Sequence, residues 1–428
     1  FKNILLGANE YYEASENGKK PDFEVEGVKV VDDYTLQLIL TKPSSVFLFS
    51  LARPNTYVFP REAYEKYGLE IRVKAVGTGP FYLADVDDDI KVILKRNKNY
   101  YGKDQYGNKL PLLDAIDIQF IKDKKTELFE FKKGNLDMIY RLPTEYIIEI
   151  LEEAGTDLSG EYSEYNLQSH PEMATQFLSF LNQSKLFSDI NLRKAFSFAI
   201  DREKILEFVL NGEGFKPGYN GITPPTFDDY DIEKIKGYDL NVDSARYYLA
   251  KAGYPNGKRF PKLVLDLNAG GERNTNVAVE VQKQLQNNLN IEIELNIVPW
   301  AQHNENIIGG KSDFFRIGWI ADLPRPENFL WLFYGKQVPK SLEDKSYPNF
   351  SRYVNDEFDK LYEAALNATS IEEANKYFMQ AEKIMIKDAP VIILWYDKDS
   401  RILQSYVQNF PANPMEFRDF SEVYFDYH

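Results

Sequence analysis

The sequence predicts an α/β protein of more than one domain. Strand-like and helix-like stretches alternate from residue 262 to 319, the first 140 residues read mostly as strands, and 428 residues exceed one ordinary domain. Two or three domains are expected from that length.

Taken in order, residues 23–40 read as a hairpin. Val25, Val28, Val30 and Val31 precede Asp32-Asp33, the expected turn, and Leu36, Leu38 and Leu40 alternate after it. Phe81 to Ala84 and Ile90 to Lys95 form a second strand pair around the acidic tip 85–89, and Ala115 to Ile121 is a further strand. Asp189 can cap a helix whose stripe is Leu192, Ala195, Phe196 and Ala199, ended by Gly212. Asp243 to Ala252 is a helix closed by Gly253. Strand Lys262–Leu267, helix Thr275–Leu289, strand Ile291–Val298, helix Gln302–Ile308 and strand Phe314–Trp319 then follow one another. That series favours a parallel sheet covered by helices. Phe358, Leu361, Tyr362 and Ala365 mark another helix. Ser370-Ile371-Glu372-Glu373 is a capping box opening the next, which Ala389-Pro390 stops before strand Val391–Trp395. The tail, 397–428, reads as irregular apart from a possible strand at 422–427.

Composition excludes several classes. A net charge of −15 argues against nucleic acid, which needs a basic stripe. No run of 18 apolar residues is present, so no spanning helix is expected. Cysteine is absent, removing disulfides, thiolate sites and a Cys nucleophile. His170, His303 and His428 have no zinc spacing, and neither a Gly-x-Ser-x-Gly elbow nor a P-loop occurs. Neither cofactor nor catalytic residue is expected. The chain opens at Phe1 without Met and is read as a processed or truncated chain.

One segment stands out, Gly318-Trp319-Ile320-Ala321-Asp322-Leu323-Pro324-Arg325-Pro326-Glu327. A strand ends in an acid, and two prolines block its continuation. Ligands of open α/β sheets bind at such strand ends, where a carboxylate receives a cation such as an amine. The competing reading is that Asp322 only caps the turn or the following helix. Residue types and spacing leave both open.

Six segments in order resemble the family 5 extracellular solute-binding proteins, the peptide receptors of bacterial ABC importers. They are Gly77-Thr78-Gly79-Pro80, Arg96-Asn97 with Tyr100-Tyr101-Gly102, Gly134-Asn135-Leu136-Asp137, the stretch Leu192 to Arg202, Leu249 to Pro255, and residues 317–330. Residue by residue, Gly77 and Gly79 supply a tight turn, and Arg193, Asp201 and Arg202 are scaffold charges, solvated or internally paired.

The resemblance implies a two-lobe Venus-flytrap clamshell with an extra small subdomain in the first lobe. Residues 1–72 would be that subdomain, N-terminally incomplete, 73–172 the first lobe, 173–396 the second, and 397–428 a tail returning to the first. Phe177 to Asn182 and Leu394 to Tyr396 would be the crossings. It implies that Asp322 of the Ala321-Asp322 pair receives a peptide's α-ammonium, while Gly318 and Ile320 bond to the peptide as to an added strand. Trp319, facing the other way, is either core or ligand wall. The family commonly has Asp where this chain has Arg325, which could pair with Asp322 and weaken its hold on an amine. Some relatives bind oligosaccharides or nickel chelates. A sugar could stack on Trp300, Trp319, Trp331 or Trp395, whereas nickel is disfavoured by the scattered histidines. The expected partners are a peptide or other small solute and a membrane permease, with the protein a monomer. The expected location is periplasmic or extracellular, with a lipid anchor. A secreted hydrolase is the alternative of another class.

Overall fold

A computed structural model describes residues 3–15, 18, 20–44, 47–154, 162 and 164–427. His428 lies outside them.

The strands are β1 Val28–Asp32, β2 Thr35–Leu38, β3 Phe81–Asp87, β4 Lys91–Arg96, β5 Ala115–Gln119, β6 Met138–Tyr140 and β7 Asn166–Phe180. After them come β8 Gly214–Pro217, β9 Leu263–Asn268, β10 Ile293–Val298, β11 Phe314–Ile320, β12 Val391–Leu403, β13 Val407–Gln408 and β14 Tyr424–Phe425. The largest sheet has the order β10-β9-β11-β7-β12-β6, with β8 on β12. Only its β10-β9-β11 part is parallel; β7 and β12 run antiparallel to their neighbours, so the sheet is mixed rather than parallel.

Two apolar layers cover this sheet. Phe177 and Ile393 face one, with Phe329, Tyr362 and Phe378, whereas Leu178, Ile392 and Leu394 face the other, with Leu192, Phe196, Val281 and Leu285. The period of two along β7 and β12 puts successive residues into opposite layers. A third core gathers Leu128, Phe131, Ile139, Ile147 and Ile150 around Ile402, and a fourth packs Leu403, Val407, Phe410 and Val423. Thus β7 and β12 leave the core of one lobe and enter the other as a single paired ribbon. Phe177 to Leu181 and Leu394 to Tyr396, expected to be crossings, are instead buried in the large lobe. The ribbon changes cores between about Asn166 and Met173 on one strand and between Asp397 and Ile402 on the other. Register shifts fall at Ile393/Trp395 and Tyr396/Lys398.

The hairpin at 28–38 forms with its turn after Asp32, but β1 is exposed along its whole length. In the first 140 residues the helices Ala8–Ser15, Phe47–Leu51, Arg61–Tyr67 and Lys124–Lys132 stand where few were expected. The helix begun by Asp189 stops at Phe198. Asp201 caps a new turn by accepting from Lys204 N at 3.0 Å, and a π-helical turn, Ile205–Val209, follows.

Several motif segments serve as joints. Asn97 donates to the Gly79 carbonyl at 2.9 Å, tying the strand end to the Gly-Pro turn. Gly134 takes φ 77°, which favours glycine, and Asp137 beyond it accepts from Tyr406 of the tail at 2.7 Å. Arg193 and Arg202 are buried, not solvated. Arg193 donates to the carbonyls of Phe187, Asp388 and Ala389, serving the end of the helix Ile371–Asp388. Arg202 donates to the carbonyls of Ile393, Ser197 and Ile200, and burial lowers its pKa to about 10.

Candidate ligand-binding site

The candidate site is the edge of β11 and the turn after it. The Ala321 N–H donates to Met173 and the Leu181 N–H to the Asp313 carbonyl, so the odd residues of β11 bond toward β7. By alternation, Arg316, Gly318 and Ile320 direct their backbone groups to the opposite edge. There β9 pairs only with Phe314 and Phe315 before diverging. His303 covers the Arg316 carbonyl at 2.8 Å. On that edge, opposite β7, no strand among the described residues pairs with Gly318 or Ile320.

Glycine is required at 318. A Cβ there would lie 2.4 Å from the Gln176 amide oxygen. Gln176 is fixed on its other side, donating to Asp397 Oδ2 at 2.7 Å while its oxygen accepts from Arg316. Arg316 also donates to Asn268 at 3.0 Å, and burial lowers its pKa to about 10. Asp397 is paired with Arg273, which also reaches Glu213 at 3.4 Å. Burial acts to raise the Asp397 pKa, but Arg273 and the Trp395 N–H hold it below the ordinary carboxylate value. This network floors a cavity of about 600 Å³ lined by Arg141, Glu172, Glu213, Arg273, Arg316 and Lys398, residues of both lobes.

At the other end of the edge stands Asp322. Its carboxylate accepts no backbone N–H among the described residues. The turn is held instead by Asn328, whose Oδ1 accepts from Asp322 N at 3.0 Å and from Trp319 Nε1 at 2.8 Å. The Asp322 side chain, 43 % exposed, meets Arg53 from the N-terminal part of the chain, Nη2 to Oδ2 at 2.9 Å. Tyr347 faces this pair. Its pKa is raised by burial and by Asp322, and its ring packs against Phe350 and Trp331.

Two expected residues lie elsewhere. Arg325 does not pair with Asp322. It is 2 % exposed and donates to Asp229 at 2.9 Å and Asn375 at 2.7 Å, because Pro324 and Pro326 turn it into the core. Trp395 is 1 % exposed and donates to Asp397 at 2.8 Å, so its ring offers no face to a ligand. Trp319 and Trp331 pack against the core, and only Trp300 is largely exposed, which removes the expected stacking wall for a sugar. Gly318, Ile320 and Asp322 lie together along the edge, whereas Ala321, also expected at the site, is buried and bonds back to Met173 on the β7 side. Sequence reasoning missed Arg53, Asn328, Gln176, Arg273 and Arg316. Arg316 carried a signal, standing two residues before Gly318 on the same strand face.

The model of the bacterial extracellular solute-binding proteins, family 5 (Middle), matches residues 2–341. The chain belongs to that family. Within it, this receptor is 27 % identical over 427 residues to the oligopeptide-binding protein OppA of Bacillus subtilis, covering 96 % of this chain and 72 % of the relative. It is 25 % identical over 398 residues to the periplasmic oligopeptide-binding protein OppA of Salmonella typhimurium, covering 91 % and 68 %. The solved periplasmic oligopeptide-binding protein OppAIV of Borrelia burgdorferi superposes with a TM-score of 0.79 at 27 % identity, over 99 % of this chain and 79 % of that one. These neighbours share the two-lobe binding-protein fold. The family binds solutes rather than transforming them, and the Salmonella and Borrelia relatives are named as periplasmic. Among the described residues of this receptor, no helix is long and apolar enough to cross a membrane.

Proposed function

We propose that this receptor captures oligopeptides between its lobes and delivers them to the permease of an ABC importer. One observation carries the reading: the open edge of β11, Gly318 and Ile320, runs into a carboxylate, Asp322, that caps nothing. An extended peptide adds to that edge antiparallel to β11, its α-ammonium at Asp322 and its chain running toward Arg316 and the 600 Å³ cavity. Arg316 and Asp322 are six residues apart, about 20 Å of strand, so the edge fits a peptide of a few residues. Main-chain bonding ignores side chains, which suits broad specificity. Relatives named for oligopeptide binding support the class. Isothermal calorimetry with tri-alanine and a mixed peptide library tests it, beside a hydrolysis assay on the same peptides. Binding without turnover supports the receptor. Turnover sensitive to one carboxylate substitution overturns it in favour of a hydrolase.

The domain scheme that goes with this function is residues 1–72 as small subdomain, 73–172 as first lobe, 173–396 as second lobe and 397–428 as tail. The β7–β12 ribbon is its hinge. A saturating ligand should reduce the radius of gyration in small-angle scattering, and superposable profiles with and without it would count against closure. For delivery to a membrane permease a lipid anchor is the economical arrangement, since it holds the receptor near its partner. Mass spectrometry of the mature N-terminus in the membrane fraction of the source cell tests it, and an unlipidated mature terminus argues for a free receptor.

A further inference from the structure

The candidate anchor is already occupied from within the chain, since Arg53 holds Asp322 Oδ2. A second carboxylate, Glu327, stands five residues on, at the start of the helix Glu327–Leu330. Its Oε2 is shielded from solvent and has no hydrogen-bond partner among the described residues. Burial raises its pKa to about 7, while Arg325 and Arg53 act to lower it, so the Arg53 guanidinium lies within electrostatic reach of both acids. The two terminal nitrogens of Arg325 are held by Asp229 and Asn375, and no hydrogen bond joins Arg325 to Glu327 among the described residues. Among the described residues, Tyr362, from the helix Asp356–Leu366, also faces Glu327. An unpartnered, shielded carboxylate oxygen is costly in any single state and calls for a reason.

We propose, building on the peptide reading above, that Arg53 is a relay between two carboxylates: it holds Asp322 in the empty receptor and moves to Glu327 when a ligand's ammonium takes Asp322. In the empty state Asp322 is paired and Glu327 keeps a proton. In the loaded state the ammonium pairs with Asp322, Arg53 pairs with Glu327, and the Glu327 proton leaves to solvent. An ammonium docking beside an unmoved Arg53 would instead set two cations against one carboxylate. The long arginine side chain, with several donors on a planar fork, suits exchange between acids five residues apart. An N-blocked peptide brings no cation and cannot displace Arg53, so this exchange makes Arg53 a specificity-determining residue for free amines.

The test follows the Glu327 carboxyl by 13C NMR against pH in the whole chain, glutamate-labelled and assigned with Glu327→Gln. In the empty wild type Glu327 should titrate near neutrality. Asp322→Asn releases Arg53 without any ligand and should lower the Glu327 midpoint by at least about one pH unit, as an adjoining cation does. Asp322→Asn combined with Arg53→Met should remove that fall. An unchanged midpoint in Asp322→Asn overturns the relay. Tri-alanine added to wild type should also lower the midpoint, and N-acetyl-tri-alanine should not. Tri-alanine that binds while Glu327 titrates as before overturns the relay. A receptor that binds no peptide yet shows the fall in Asp322→Asn keeps the Arg53 exchange and overturns the peptide reading alone.

Discussion

Asn328 is the acceptor that fixes Asp322: its side-chain oxygen takes the Asp322 N–H at 3.0 Å, six residues back along the chain. The same oxygen takes the Trp319 indole N–H. Asn328→Ala leaves both donors without a partner in a site that is 4 % exposed. The expected cost is roughly 1–3 kcal/mol of stability, read as a lower urea midpoint. Tri-alanine affinity should fall as well, because the turn that aims Asp322 loosens. Unchanged stability would mean that water replaces the amide.

Asp322→Asn keeps the shape of the turn and removes the charge. A desolvated charge pair loses roughly 2–5 kcal/mol when one partner is truncated, so tri-alanine affinity should drop about 30-fold or more. N-acetylated tri-alanine should bind wild type poorly and be little affected by the substitution. Because the carboxylate accepts no backbone N–H, the melting temperature should stay within a few degrees of wild type. A large fall in melting temperature with unaltered affinity would return Asp322 to a structural role.

Arg202 supplies donors to carbonyls from two elements while 1 % exposed. Arg202→Met fills much of the volume but leaves those carbonyls unpaired. Removing buried charged donors costs roughly 2–5 kcal/mol, so thermal unfolding should shift down clearly while Lys204→Met nearby shifts it little. Equal effects would contradict the burial of Arg202.

Glu327 makes stability depend on pH in a definite direction. Burial raises its folded pKa from the ordinary 4.5 to about 7. Between those values the folded chain binds more proton than the unfolded one, so this contribution is present at low pH and is lost as pH rises through about 7. Glu327→Gln should flatten the wild-type fall in urea midpoint between pH 5 and 8, and it should stabilise the protein most at pH 8. Parallel wild-type and variant curves would show that Glu327 is well solvated.

Much of this architecture was legible where apolar periodicity was clean. The alternation from Leu263 to Ile320 and the helices at 356–366 and 371–388 follow their stripes, and Ser370 caps as its spacing predicts, accepting from Glu373 N at 3.2 Å. The long strand β7 was not legible. Its Gln168, His170, Glu172 and Gln176 break the strand pattern because their side chains serve polar networks, as Gln176 does with Asp397 and Arg316. The tail reads as irregular for the same reason: β12 continues past Trp395 through Asp397, Asp399 and Arg401, all buried and paired. At the candidate site, the strand and its terminal acid follow from local sequence. The partner of that acid does not, since Arg53 lies 269 residues away and only the tertiary fold brings it near. Arg325 was misplaced because spacing along the chain says nothing about which way a doubly proline-flanked residue turns.

The ribbon of β7 and β12 has a further consequence. Its ladder runs from Val391↔Ser179 to Leu403↔Asn166, through both lobes. Melting either lobe would strand one half of a ladder whose other half is still formed, and would bare Ile402 and Leu403 or Ile392 and Ile393 at the break. The large core and the Leu128–Ile150 core are therefore not separable folding units. Heat or urea should dissolve them together, in one cooperative step, despite the depth of the cleft between them.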